Sequence, residues 1–221
     1  MASELETALR SRQTAFGICL SDDQIAALDA YYNLLSEHNP LLHLVAACPP
    51  EEFASRHILE SLTLLPHRPQ NSNIADVGSG GGLPSLPCVL VRKDLRAALI
   101  ESKEKKAAFL QRAVDELGLT DRVTVINRQF SETTAEGFGA VTCRALDKFT
   151  EKLPALVKWA KGRRMLLFGG KTLAEALTGQ GMPFESRLMP LSDRRFLFIT
   201  QRRPRKDAAH RISSPYSRRR R

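Results

Sequence analysis

The chain has 221 residues, 43% of them hydrophobic, which suits one α/β domain with a substantial core and a small extra element rather than two independent domains. Its apolar runs fall well short of the roughly 20 residues that cross a bilayer, and Met1-Ala-Ser-Glu-Leu-Glu6 has neither the basic nor the apolar part of a secretory leader, so a cytoplasmic protein with no membrane partner is expected. Net charge is +9, but the segment from Gln201 onward holds nine cations against Asp207 and so carries +8, leaving +1 for everything before it.

In chain order, the first helical signal follows Ser21-Asp22-Asp23, which can cap and charge a helix N-terminus, with Ile25, Leu28, Tyr31, Tyr32 and Leu35 at helix spacing. A second helix is expected over 51–65, between Pro49-Pro50 and Pro66. From Asn73 the pattern changes to short apolar runs. Strands are expected near 73–77, 96–100, 122–127, 139–143, 163–168, 184–190 and 195–200, and helices near 84–92, 103–117, 147–160 and 172–178. The helix at 103–117 is the clearest, with Phe109, Leu110, Ala113, Val114 and Leu117 on one face and Gly118 placed to end it. The last two strands, joined through Leu191-Ser-Asp-Arg194, read as a terminal antiparallel hairpin. The whole is an α/β, doubly wound, mostly parallel sheet with its ligand beyond the C-terminal strand edges. Three stretches follow: N-terminal helices over 1–70 packed on the main domain, the α/β domain over 71–200, and a basic tail over 201–221. With Pro204, Ser213, Ser214 and Pro215 among its cations, the tail reads as a disordered polycation. It either adds salt-sensitive attraction to RNA or merely solubilises the chain.

The chemistry-bearing stretch is Asn73-Ile-Ala-Asp-Val-Gly-Ser-Gly-Gly-Gly82-Leu83, an apolar strand closing on Asp76 and running into Gly78, Ser79, Gly80 and Gly82. Glycines there let backbone approach a ligand closely. A dinucleotide fingerprint would need glycine at position 83, where this chain has Leu83, so a bound pyrophosphate is disfavoured. Asp76 would repel a phosphate but could orient the ammonium end of a methionine-type ligand, directly or through water. S-adenosylmethionine fits those charges better than a nicotinamide cofactor. Glu101 closes the next apolar run, where a ribose-binding acid stands in such a unit. Cys19, Cys48, Cys88 and Cys143 lie far apart with no Cys-x-x-Cys pair, so no metal site and no redox motif is expected.

Taken together, Arg56-His57-Ile-Leu-Glu-Ser61, Asp76 to Pro84, Glu101-Ser102 with Lys105, Lys106, Phe109 and Leu110, then Arg128 and Cys143-Arg144-Ala145 resemble the bacterial 16S ribosomal RNA guanine-N7 methyltransferases of the glucose-inhibited division protein B type. The likeness runs to about Gln201. It implies a class I S-adenosylmethionine-dependent methyltransferase fold, S-adenosylmethionine as cofactor, and the decoding-site loop of small-subunit rRNA, free or in the subunit, as the RNA bound and converted to 7-methylguanosine. Residue by residue, it puts Gly78 and Leu83 on the cofactor, Glu101 near its ribose, Gln129 and Phe130 beside its adenine, and Arg144 at the mouth of the active site. Arg56, His57, Arg128, Lys171, Arg202 and Arg203 are expected on the RNA side, and the protein is expected to act as a monomer. Three positions depart from the family's usual pattern: Asn39-Pro-Leu-Leu-His43-Leu-Val45 replaces Asn-x-x-Asn-Leu-Thr, Phe130 stands where an acid is usual, and Gly169 stands where a lysine is usual, with Lys171 nearby.

Guanine N7 has an exposed lone pair, so its methylation requires no proton to be removed. Arg144, Arg128 and His57 are therefore expected to position groups rather than act as acids or bases. Exocyclic-amine methylation commonly uses an Asn/Asp-Pro-Pro-aromatic turn after the fourth strand, where this chain reads Cys143-Arg-Ala-Leu146. Cytosine C5 methylation needs an activated cysteine in a Pro-Cys context that Cys143 lacks. Two rivals stay open: a methyltransferase for small molecules, and a ribosome-assembly protein that binds RNA with weakened catalysis.

Overall fold

The computed structural model describes residues 2–200 apart from 145 and 147. Arg202, Arg203 and the rest of the basic tail lie outside the described residues.

Among the described residues seven strands form one sheet: β1 (Asn73–Val77), β2 (Arg96–Ile100), β3 (Val123–Ile126), β4 (Ala140–Arg144), β5 (Arg164–Gly169), β6 (Phe184–Leu188) and β7 (Phe196–Thr200). Their order is β3-β2-β1-β4-β5-β7-β6. β1 pairs in parallel with both β2 and β4, so chain order reverses between β1 and β4, and that reversal opens a crevice at their C-terminal ends. β7 runs antiparallel to β5 and to β6, which closes the sheet with the expected hairpin.

Side chains alternate across the sheet with the two-residue period of a strand. Ile74, Leu166, Phe168, Leu197 and Ile199 join the core on one face, and Ala75, Val141, Met165, Leu167 and Phe198 the core on the other. The first face is covered by α5 (Ser85–Val91), α6 (Glu104–Glu116) and the N-terminal helices, whose residues belong to the same core. The second is covered by α7 (Phe149–Ala160) and α8 (Lys171–Gly179). α6 ends as its sequence requires, with Gly118 at φ 64 just past Leu117.

The N-terminal helices are more extensive than the sequence reading anticipates. α1 (Glu4–Arg12) carries a reciprocal capping box, Ser3 accepting from Glu6 N–H while the Glu6 carboxylate accepts from Ser3 N–H, and it buries Leu5, Ala8 and Leu9. α2 (Asp22–Leu42) starts on a second capping box, Ser21 with Gln24. It buries Ile25, Leu28, Tyr31, Leu34 and Leu35, each contributing roughly 1.5–3 kcal/mol if fully removed from water. α2 ends at His43 in the left-handed conformation, φ 48 and ψ 55. Asparagine is favoured there and histidine is also enriched, which accounts for the departure at this position. The expected helix at 51–65 is interrupted: α3 (Pro50–Phe53) leads into a π-helical turn over Ala54–Leu59, then α4 (Glu60–Leu62). A π-turn inserts extra backbone and re-aims the side chains that follow, and such turns gather at functional sites.

Candidate active site

At the C-terminal edge of β1 the chain turns sharply through Gly78, Gly80 and Gly82, at φ 72, 55 and 93. A Cβ on Gly78 would lie 2.6 Å from the Leu146 side chain, and one on Gly82 would run into Leu86. The turn is therefore closed by packing as well as by backbone conformation.

Most of its amides are already engaged. Gly78 N–H and Ser79 N–H donate to the Ile100 carbonyl at 2.9 and 3.3 Å, and Gly80 N–H donates to Glu101 Oε2 at 3.0 Å. The buried Tyr31 hydroxyl, arriving from α2, donates to the Gly81 carbonyl at 2.8 Å. A phosphate-cradling loop needs free N–H groups and cations. Here the donors face protein acceptors and an acid stands over them, so the turn suits a hydroxyl-bearing ligand better than a phosphorylated one. Glu101 Oε1 accepts from Lys103 N–H at 2.9 Å, so each oxygen spends one bond on backbone and keeps capacity toward the cleft it lines.

That cleft, of about 780 Å³, lies between the glycine turn, the ends of β4 and β5, the segment after α2, and the π-turn. Of the residues expected on a cofactor, Gly78, Ser79, Gly80, Leu83 and Glu101 line it from the β1–β2 side. Gln129 and Phe130 line it from beyond β3, the Phe130 ring standing edge-on to Trp159 with centroids 5.9 Å apart. Two others do not reach it. Gly82 is internal to the turn, donating from its N–H to the Ser79 carbonyl at 2.7 Å. Asp76 is 0% exposed beneath the turn, with both carboxylate oxygens lacking a hydrogen-bond partner among the described residues. Burial pushes its carboxyl up to about 8, which the Ser85 side chain and N–H, facing it without hydrogen-bond geometry, only partly offset and Glu101 reinforces. Of the two ways expected for Asp76 to orient a ligand ammonium, directly or through water, the direct one is closed to this buried acid, which is largely protonated at neutral pH.

The opposite side of the cleft is cationic. Arg144, at the end of β4, points its Nη2 at the Arg56 carbonyl at 2.5 Å, at His57 Nδ1 at 3.4 Å and at Glu60 Oε2 at 3.4 Å. Its guanidinium carbon stands 5.6 Å above the Phe168 ring, and its Nη1 is buried with no partner among the described residues. Glu60 is 2% exposed and also accepts from Arg195 Nε at 2.6 Å. Burial raises the Glu60 carboxyl and lowers Arg144, while attraction between the two opposes both shifts. Arg144, Arg195 and Arg56 thus surround one carboxylate. Burial, helped by repulsion from Arg144, Arg56 and Arg195, lowers His57 to about 3, so its imidazole is neutral at physiological pH.

Arg56, His57 and Arg128, the residues expected on an RNA side, line the cleft, which by itself does not assign them to RNA. Lys171 does not: it begins α8 with its side chain exposed and is absent from the cleft wall. No lysine replaces it at position 169, where a Cβ would lie 2.6 Å from Leu173. Lys152 of α7 lines the cleft instead, together with Lys103 and Lys106. Lys106 Nζ donates to the His43 carbonyl at 2.9 Å and ties the segment after α2 to α6. Neither Glu60, though it stands in the Arg56–Ser61 stretch that carries the resemblance, nor Arg195 was given a role from the sequence. The signal for Glu60 was an acid set among Ile58, Leu59 and Leu62, all of them buried. Cys143 is buried and its thiol is pushed well above its ordinary value by burial and by Asp76, so it is no thiolate nucleophile.

A family model described as rRNA small subunit methyltransferase G matches residues 24–187. A Chromobacterium violaceum protein named ribosomal RNA small subunit methyltransferase G is 37% identical over 132 residues, covering 60% of this chain and 63% of its own length. The Sorangium cellulosum protein of the same name is 36% identical over 164 residues, 71% of this chain and 68% of that one. The chain thus spans a little under two thirds of the first relative and just over two thirds of the second. Among solved structures, a SAM-dependent methyltransferase from Aquifex aeolicus superposes with a TM-score of 0.55 at 13% identity, covering 75% of this chain and 97% of that one, a likeness of fold.

Proposed function

The chain belongs to the rRNA small subunit methyltransferase G family, and from that premise we propose that it transfers the methyl group of S-adenosylmethionine to N7 of a guanine in the decoding-site loop of 16S rRNA. The observation that carries this reading is the division of one cleft into two halves. Glu101 and the glycine turn form a hydroxyl-accepting half over β1 and β2, and Arg144, Arg195 and Arg56 form a cationic half over β4, β5 and β7.

The residues present fit S-adenosylmethionine. Glu101 would hold the ribose hydroxyls, Gln129 and Phe130 would flank the adenine, and Gly78, Ser79, Gly80 and Leu83 would lie along the rest. Asp76 would act from below, by setting the turn. When bound, the cofactor supplies an electrophilic methyl on a sulfonium, which the guanine N7 lone pair attacks as the carbon–sulfur bond breaks and positive charge passes from sulfur to purine. The chain's own part is orientation and exclusion of water. No general base is needed, and a neutral His57 held by Arg144 agrees with that. Arg56 and Arg128 would meet the RNA backbone, as would Lys152 in place of Lys171, while Arg202 and Arg203 would extend the same field. The protein would act in the cytoplasm as a monomer; among the described residues no helix is long and apolar enough to cross a membrane.

The test is to delete the gene and map 7-methylguanosine in small-subunit rRNA by reductive cleavage. A cleavage site that vanishes, and returns with the wild-type gene, supports the proposal. An unchanged pattern refutes it.

A further inference from the structure

Glu60 stands where an acid has no ordinary reason to be. It opens α4 immediately after the π-turn and is 2% exposed, with Leu59 and Leu62 packed into the core beside it. A buried carboxylate is tolerated only when what it touches offsets its lost hydration. Its two oxygens are divided between two arginines, Oε1 accepting from Arg195 Nε at 2.6 Å and Oε2 from Arg144 Nη2 at 3.4 Å. Those arginines come from separate parts of the sheet. Arg144 ends β4 and Arg195 immediately precedes β7, with β5 between them, and both line the cleft. Without an acid between them, two guanidiniums would repel and splay.

A second observation shows what the arrangement leaves free. Arg144 Nη2 is shared among the Arg56 carbonyl, His57 and Glu60, and the Phe168 ring backs the guanidinium. Nη1 of the same group is buried and has no partner among the described residues. An unmet donor on a buried guanidinium is costly unless an acceptor from outside the chain meets it. Arg144 is thus held by one side, with a buried donor on the other that no described group meets.

We propose that Glu60 is a positioning residue: accepting from Arg144 and Arg195 at once, it holds their guanidiniums side by side over β4, β5 and β7, so that together they grip one acceptor oxygen of the target nucleotide. This rests on the reading that the cleft methylates guanine N7. The same contact has an electrostatic consequence. Methyl transfer brings positive charge onto the purine, which two uncompensated guanidiniums would oppose, and Glu60 cancels one of the two. On the proposed reading the methyl donor lies on the Glu101 side, so its binding would not depend on Glu60.

The test uses the full-length protein with tritiated S-adenosylmethionine and small ribosomal subunits from a strain lacking the gene, alongside calorimetry with S-adenosylhomocysteine. Glu60→Gln keeps shape and loses charge, Glu60→Asp keeps charge on a shorter arm, and Arg195→Lys keeps charge and loses the Nε donor. Glu60→Gln is expected to lower kcat by something on the order of ten- to a hundredfold with S-adenosylhomocysteine affinity unchanged, as small misplacements of orienting groups do. Glu60→Asp should recover part of that loss. Arg195→Lys should fall similarly, and the double variant with Glu60→Gln should fall little further. A folded Glu60→Gln protein with wild-type kcat, a loss confined to S-adenosylhomocysteine affinity, or losses that combine independently would each overturn the proposal. Should Glu60→Gln fail to fold, Arg195→Lys decides, since that side chain is 29% exposed and its replacement leaves the core intact; wild-type kcat there overturns it. Wild-type protein that transfers nothing to subunits would instead refute the parent reading, and this inference with it.

Discussion

Glutamine at position 101 keeps the outline of the native side chain and removes the charge on which the cofactor half of the cleft is proposed to depend. In the native protein one oxygen accepts from Gly80 N–H at 3.0 Å and the other from Lys103 N–H at 2.9 Å, in a residue only 7% exposed. An amide has a single oxygen. Whichever way it turns, its NH2 faces one of these two donors, and leaving that donor unmet costs about 1–3 kcal/mol. Folding stability should fall by that amount, read from urea unfolding. The hydroxyls proposed to bind here lose a charged acceptor for a neutral one, a difference of about 1–2 kcal/mol, which corresponds to roughly five- to thirtyfold in Kd. Calorimetry with S-adenosylhomocysteine should therefore show weaker binding by about that factor, at a temperature where both proteins are folded. A variant that unfolds more easily yet binds as tightly as wild type would show Glu101 to be a brace for the glycine turn and nothing more.

Tyr31→Phe removes the hydroxyl that caps the Gly81 carbonyl; stability should drop by about 1–3 kcal/mol in urea unfolding, and no drop would mean the N-terminal helices do not brace the loop. Asp76 has a folded value of about 8 against 3.8 for an unperturbed group, so the native state binds more protons than the unfolded one across that interval and stability attributable to Asp76 is lost as pH rises from about 4 to 8. Asp76→Asn, which cannot titrate, should gain on wild type steadily over that window, and a difference independent of pH would contradict the buried, protonated assignment. Because His57 is held near 3, methyl transfer to subunits should show no limb near pH 6.5, and a limb present in wild type but missing from His57→Gln would restore an acid–base role to this residue.

The strands were readable in the sequence because runs such as 73–77 and 96–100 are short, apolar and bounded by turn residues, and because the glycine turn fixes which strand comes first. Gly118 ending α6 and the hairpin of β6 and β7 followed from the same local chemistry. α1 was missed although Ser3 and Glu6 spell a capping box, since a nine-residue helix buries too few side chains to stand out in an N-terminal segment. What local reasoning could not reach was depth and direction. Asp76 sits before the loop in sequence yet beneath it in space, because strand alternation turns its side chain away from the crevice and into the core. Lys171 stands two residues past Gly169 but begins a helix with its own side chain exposed to solvent, while Lys152, elsewhere in sequence, lies along the cleft. Glu60 and Arg195 are 135 positions apart, and only the π-turn and the last strand bring them together.

The central claim, that this cleft delivers a methyl group to guanine N7 in small-subunit RNA, is tested most directly by incubating purified protein with labelled S-adenosylmethionine and small subunits from the deletion strain, then digesting the RNA and identifying the labelled nucleoside by mass spectrometry. The account predicts a single labelled product, 7-methylguanosine, from one site. Label on an exocyclic amine or on cytosine, or none at all, would contradict it.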